Sequence, residues 1–112
     1  MKVIISGGTG LIGKAVAEAL LRRGDEVVVL SREPARARAM PQGVSLARWD
    51  GKTAAGWAHL ADGADAMINL AGENISAGRW TAAHKERIRA SRLNAGRAMV
   101  EAMTQAERPP RV

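Results

Sequence analysis

Three glycines spaced by three, at positions 7, 10 and 13, constrain this chain more than any other feature. They lie in Ser6-Gly7-Gly8-Thr9-Gly10-Leu11-Ile12-Gly13. The stretch before them, 2–6, is β-branched and apolar and reads as a strand. After them, Ile12, Ala15, Val16, Ala19 and Leu20 recur at helical spacing over 12–23, with Arg22 and Arg23 in the last turn and Gly24 placed as a C-terminal cap. Strand, glycine turn and helix in that order open a βαβ unit that holds a dinucleotide. Gly7 permits the tight turn, Gly10 lets a pyrophosphate reach the backbone, and Gly13 lets the helix close on the strand. The helix N-terminus presents free N–H groups and the positive end of its dipole to phosphates. Thr9, Leu11 and Ile12 are each placed to offer a backbone N–H. The competing reading is a glycine-rich turn with no ligand.

The rest of the chain continues the alternation. Residues 26–30 form a second strand, too uniformly apolar to have a wet face. Pro34 suits the first position of a short helix over 34–39. Residues 44–48 are a weaker third strand, 54–61 a short helix, and 65–70 a fourth strand. Thr81 can cap a long helix to about 105, with Ile88, Leu93, Gly96, Met99, Val100 and Met103 as expected inward positions and Pro109-Pro110 as its stop. The order β-α-β-α-β-α-β-α with apolar strands predicts an α/β fold, a Rossmann-like doubly wound parallel sheet with right-handed crossovers. Arg111-Val112 reads as the start of a fifth strand. The sequence is therefore expected to be the N-terminal part of a larger protein, residues 1–112 forming one dinucleotide-binding unit truncated after about four strands.

Composition then excludes chemistries. The 112 residues contain no Cys, Tyr or Phe and two His, at 59 and 84. Disulfides, a thiolate nucleophile, Cys-ligated metals and any tyrosine acid or base are ruled out within them. No residue is assigned a catalytic or metal-ligating role. No apolar run reaches the roughly 20 residues of a membrane span. With no Cys and no export signal, a cytoplasmic location and no membrane partner are expected. The net charge of +6 invites a nucleic-acid reading. Much of it, however, comes from Arg79, Lys85, Arg87, Arg89, Arg92 and Arg97, which read as a solvated helix face with little aromatic interleaving; no nucleic-acid partner is expected.

Two strand tips add specificity. The second strand ends in Leu30-Ser31-Arg32, where an enzyme preferring NAD usually carries an acid. A guanidinium at Arg32 suits a 2′-phosphate, with Ser31 as a further donor, so NADP is expected over NAD. Glu33 is the counter-evidence, since it could serve the ribose of NAD, and Arg32 could instead be a surface residue. After the third strand, Asp50 in Arg48-Trp49-Asp50-Gly51 could accept from the adenine amino group, or could shape an Asp-Gly turn. Trp49 reads as packing. The fourth strand ends in Asn69-Leu70-Ala71-Gly72, small residues that leave room for a ribose and nicotinamide; Asn69 could also be a structural amide.

The glycine motif resembles that of the extended short-chain dehydrogenases/reductases of the NAD-dependent epimerase/dehydratase type. Asn69-Leu70-Ala71-Gly72-Glu73-Asn74-Ile75, Gly78-Arg79-Trp80-Thr81, Ser91-Arg92 and Asn94 are similar to one epimerase-family subgroup, to which a nucleotide-sugar epimerase role is ascribed. The resemblance covers essentially the whole chain. It implies NADP(H) across Gly7, Gly10, Leu11, Ile12, Gly13 and Arg32, with Ala71 and Gly72 beside the nicotinamide ribose and the Asn94 helix near the active site. Ser6 stands where the family more often has Thr. The resemblance also implies a Tyr-x-x-x-Lys pair after a fifth strand, and these residues hold no Tyr. The expectation is the cofactor-binding portion of an epimerase, reductase or dehydratase that does not turn over alone. The alternative is a stand-alone, non-catalytic dinucleotide-binding or sensor module. Self-association, as a homodimer or otherwise, strand swapping or marginal stability is expected, because Met99 and Met103 on the long helix would lack a partner.

Overall fold

A computed structural model describes residues 1–34, 40–72 and 79–112. Its elements are β1 (Lys2–Ser6), α1 (Leu11–Arg22), β2 (Glu26–Ser31), β3 (Ser45–Arg48), α2 (Ala58–Ala61), β4 (Ala66–Asn69) and α3 (Ala82–Gln105). The four strands form one sheet in the order β3-β2-β1-β4, every neighbouring pair parallel. The chain thus builds outward from β1 to β3, then crosses back to the far side of β1. That reversal leaves a crevice at the carboxyl ends of β1 and β4, where open α/β sheets hold their ligands. Beyond the long helix, Arg111 N–H donates to the Asp65 carbonyl at 3.1 Å and Met67 N–H to the Val112 carbonyl at 2.8 Å. The last two residues therefore lie along β4, as the strand-like reading of Arg111-Val112 anticipated.

Alternate residues of each strand face opposite layers. Val3, Ile5, Val27 and Val29 meet Ala17, Val16, Leu20 and Leu21 of α1. Ile4, Val28 and Leu30 meet Trp49, Trp57 and the alanines of α3. Both faces are covered, which is why β1 and β2 are apolar without alternation. Trp49 and Trp57 pack edge to face, 6.1 Å between centroids. Trp49 is accordingly core, as its sequence reading held.

The two longer helices, α1 and α3, are rotated from the phase expected in the sequence. In α1 the inward residues are Gly13, Val16, Ala17, Leu20 and Leu21, while Ile12, Ala15 and Ala19 are exposed. Gly13 sets this phase, because a Cβ there would stand 2.4 Å from the Gly8 Cα. Only a glycine can occupy the point of closest approach, and the helix turns to put it there. In α3 the buried residues are His84, Ala95, Ala98, Met99 and Ala102. Leu93 and Val100, expected inside, are 42% and 63% exposed, and Gly96 faces open space. The two tryptophans already fill the layer between sheet and helix, so α3 must present alanines. Met99 belongs to this core and does not lack a partner.

The helix ends follow local chemistry. Gly24, with φ +88°, closes α1: its N–H donates to the Leu21 carbonyl and that of Asp25 to the Leu20 carbonyl, both at 3.0 Å. The Thr81 hydroxyl accepts from His84 N–H at 3.1 Å and caps α3. The helix expected over 54–61 is shorter, α2 being a single turn preceded by turns. The helix expected over 34–39 lies, past Pro34, outside the described residues. Among the described residues no helix is long and apolar enough to cross a membrane.

Candidate functional site: a cleft at the carboxyl ends of the strands

The glycine turn makes the floor of the site. Gly7 has φ +70°, and a Cβ on it would lie 2.5 Å from the Leu70 carbonyl carbon. The β1 exit and the β4 tail are therefore pressed together, with Leu70 N–H donating to the Ser6 carbonyl at 3.0 Å. Gly8 packs under Val29, and Gly13 seats on Gly8. Gly10 is different. A Cβ there would meet only the Gly7 carbonyl oxygen, at 3.6 Å, and Gly10 lines the first cleft. Gly7 and Gly13 are required by the protein's own packing, whereas no packing contact requires a glycine at position 10.

Gly10 also occupies the N-cap of α1, and no side chain caps that helix. The first N–H groups of a helix, here of Leu11, Ile12 and Gly13, have no intrahelical acceptor. None of these three residues is among those lining the clefts described next; Leu11 and Ile12 are exposed and Gly13 is buried. The backbone, with its dipole, is what this turn presents, a setting suited to phosphate.

Two clefts adjoin. The first, about 750 Å³, is lined by Gly7, Thr9, Gly10, Leu30, Ser31, Arg32, Glu33, Arg48, Trp49 and Leu70–Gly72. The second, about 630 Å³, lies between the loop after β3 and α3, bounded by Asp50, Lys52, Arg87, Ser91 and Asn94. Arg32, Trp49, Ala71 and Gly72 border both. Such volumes suit a ligand of cofactor size.

The predicted residues sort clearly by place. Gly7, Thr9, Gly10, Ser31, Arg32, Leu70, Ala71 and Gly72 come together on the first cleft, and Asp50 and Asn94 on the second. Asn69 lines neither. Its Oδ1 accepts from the buried Ser6 hydroxyl at 2.7 Å and from Ala71 N–H at 3.2 Å. This fastens the β4 tail over β1, which is the structural-amide reading of Asn69. Asp50 takes its turn role: Oδ1 accepts from Lys52 and Thr53 N–H, and Oδ2 from the Thr53 hydroxyl, at 2.7–2.8 Å. The Thr53 hydroxyl first, then the N–H groups of Thr53 and Lys52, hold its carboxyl down from 3.8 to about 2. The Ser31 hydroxyl accepts from Glu33 N–H at 3.2 Å, leaving its own proton to donate.

Sequence reasoning missed Arg48, Lys52, Arg87 and Ser91 as cleft residues. Arg87 and Ser91 lie one helical turn apart on the α3 flank that Asn94 continues, a spacing that could have flagged them. Arg48 and Lys52 flank the Trp49-Asp50 pair with no local pattern to mark them. The guanidinium of Arg92 lies over Gly72, 3.1 Å from where a Cβ would stand.

Comparison with known proteins agrees with this architecture. The bovine epimerase family protein SDR39U1 is 38% identical over 112 residues, covering 98% of this chain and 34% of that protein. The epimerase family protein YfhF of Bacillus subtilis is 35% identical over 112 residues, covering 99% of this chain and 35% of its own length. The crystal structure of human SDR39U1 with NADPH superposes with a TM-score of 0.79 at 37% identity, covering 98% of this chain and 34% of that one. The chain thus spans about a third of the length of these relatives. Residues 3–112 match the NAD dependent epimerase/dehydratase family. With its parallel sheet, its glycine turn and a cleft fit for a nicotinamide dinucleotide, the chain belongs to that family, whose NAD(P)-binding domain these residues form.

Proposed function

We propose that these residues hold NADP(H) in preference to NAD(H), as part of an epimerase or reductase acting on a sugar nucleotide or a similarly small molecule. The observation that carries the reading is Gly10, a glycine kept free of the protein's own packing beside an uncapped helix N-terminus. The N–H groups of Leu11, Ile12 and Gly13, with Thr9, would take the pyrophosphate. Ser31 and Arg32 would take the 2′-phosphate; Arg32 borders both clefts, and its Cδ lies beside Gly51. Asn94 and the turn shaped by Asp50 would border the base. Ala71 and Gly72, held in place through Asn69, would leave room for the nicotinamide ribose. The NADPH complex of the human relative supports the same cofactor.

When bound, the nicotinamide supplies or accepts hydride. These residues bind and orient it, and they contain no Tyr to exchange the accompanying proton. We therefore propose no turnover by this chain alone. Titration of NADPH fluorescence tests the reading. Saturable binding is expected, and Arg32→Ala should weaken NADPH by about tenfold or more while leaving NADH within about twofold. No binding at millimolar NADPH by the folded chain would sink the proposal, and equal losses for both cofactors would refute the Arg32 assignment.

A further inference from the structure

Arg48 closes β3 and enters the site only through the fold. Its Cα is paired with that of Ser31 in the parallel ladder. Beyond that pair, Trp49 N–H donates to the Ser31 carbonyl at 3.2 Å, so the tips of β2 and β3 are held side by side. Arg48 is exposed and lines the same cleft as Ser31 and Arg32. The Arg32 Cδ lies 3.6 Å from where a Cβ on Gly51 would stand, in the turn that follows Arg48 and Trp49. Among the described residues, no ion pair engages either arginine. Glu33 lines the same cleft and brings one carboxylate to it, so the two guanidinium groups leave a net positive charge there that favours a further anion.

We propose that Arg48 is a second specificity-determining residue, closing with Arg32 on the 2′-phosphate of the dinucleotide. This rests on the NADP reading above and deepens it. A phosphate monoester carries close to two negative charges at neutral pH, with a second pKa near 6. One guanidinium matches only the first of those charges. A second, arriving from the neighbouring strand, matches the other, and each can offer two parallel N–H groups to phosphate oxygens. Arg48 has no part in the core, so its removal leaves the sheet intact.

The test is a set of NADPH and NADH fluorescence titrations of the 112-residue chain and its Arg48→Ala variant, with circular dichroism melts as the folding control. Arg48→Ala should raise the NADPH dissociation constant about tenfold and leave that of NADH within about twofold. The difference between wild type and variant should shrink below about pH 6, where the phosphate loses its second charge; a merely structural role would not produce that dependence. Arg48→Gln, which keeps a polar stem, is read the same way should the alanine variant not fold. If wild type prefers NADPH but the variants lose both cofactors equally, or neither, the Arg48 proposal is overturned and Arg32 stands. If wild type binds NADPH and NADH alike, the 2′-phosphate reading itself fails and takes Arg48 with it.

Discussion

Gly10 and Gly13 occupy the same motif and do different work. A Cβ on Gly13 would collide with the Gly8 backbone at 2.4 Å, whereas one on Gly10 would meet no atom closer than 3.6 Å. Gly13→Ala should therefore cost about 3 kcal/mol of stability or more, as an overpacked site with backbone on its far side. Gly10→Ala should melt close to wild type yet lose most NADPH affinity, because Gly10 lines the cleft at the helix N-terminus proposed to take the pyrophosphate. Paired thermal melts and titrations separate the two; a Gly10→Ala variant that binds normally would remove the phosphate role. Asp50 offers a test by pH. Its carboxyl is depressed to about 2, so the turn it organises is fully held above its ordinary 3.8 and is lost only as pH falls through about 2. The Thr53 amide resonance should titrate with a midpoint near 2. A midpoint near 3.8 would mean that the turn is not formed in solution.

At the scale of elements, α3 carries the clearest lesson. Its span was legible because Thr81 is a good cap and no Gly or Pro that breaks a helix intervenes before Pro109; Gly96 is tolerated on an open face. Thr81→Ala should lower stability by about 1 kcal/mol, measured by urea unfolding. Affinity for the cofactor should change little, since Thr81 lines neither cleft and the α3 residue nearest to it that does, Arg87, lies more than one turn further along the helix. Its inward face was not legible. The larger side chains, Leu93 and Val100, point outward, and the alanines point in, because two tryptophans from other segments claim the volume. Periodicity locates a helix but not what waits opposite it. The same limit applies to α1, whose phase is fixed by one glycine contact rather than by its apolar stripe. The strands read well because burial on both faces makes them continuously apolar. The glycine turn read well because all of its requirements lie within eight residues. Arg48 reached the cleft through strand pairing, and no stretch of sequence contains that adjacency.

At the scale of the whole molecule, β1 lies at the centre of the sheet and joins partners at very different distances along the chain. It meets β2 across 24 residues and β4 across 63. The contact that presses Leu70 onto Gly7 belongs to the longer of these closures. Closing a long loop is entropically costly and tends to come late in folding. The glycine turn and α1 can thus form early, but the crevice they share with β4 exists only once the distant strand has docked. NADPH should accordingly act on one side of the kinetic barrier: it should slow unfolding in proportion to its occupancy and leave the refolding rate nearly unchanged. Stopped-flow tryptophan fluorescence with and without NADPH would measure both limbs. Acceleration of refolding would mean that the crevice is assembled before the barrier is crossed. With this sheet order the ligand should act as a brake on opening rather than a template for closing.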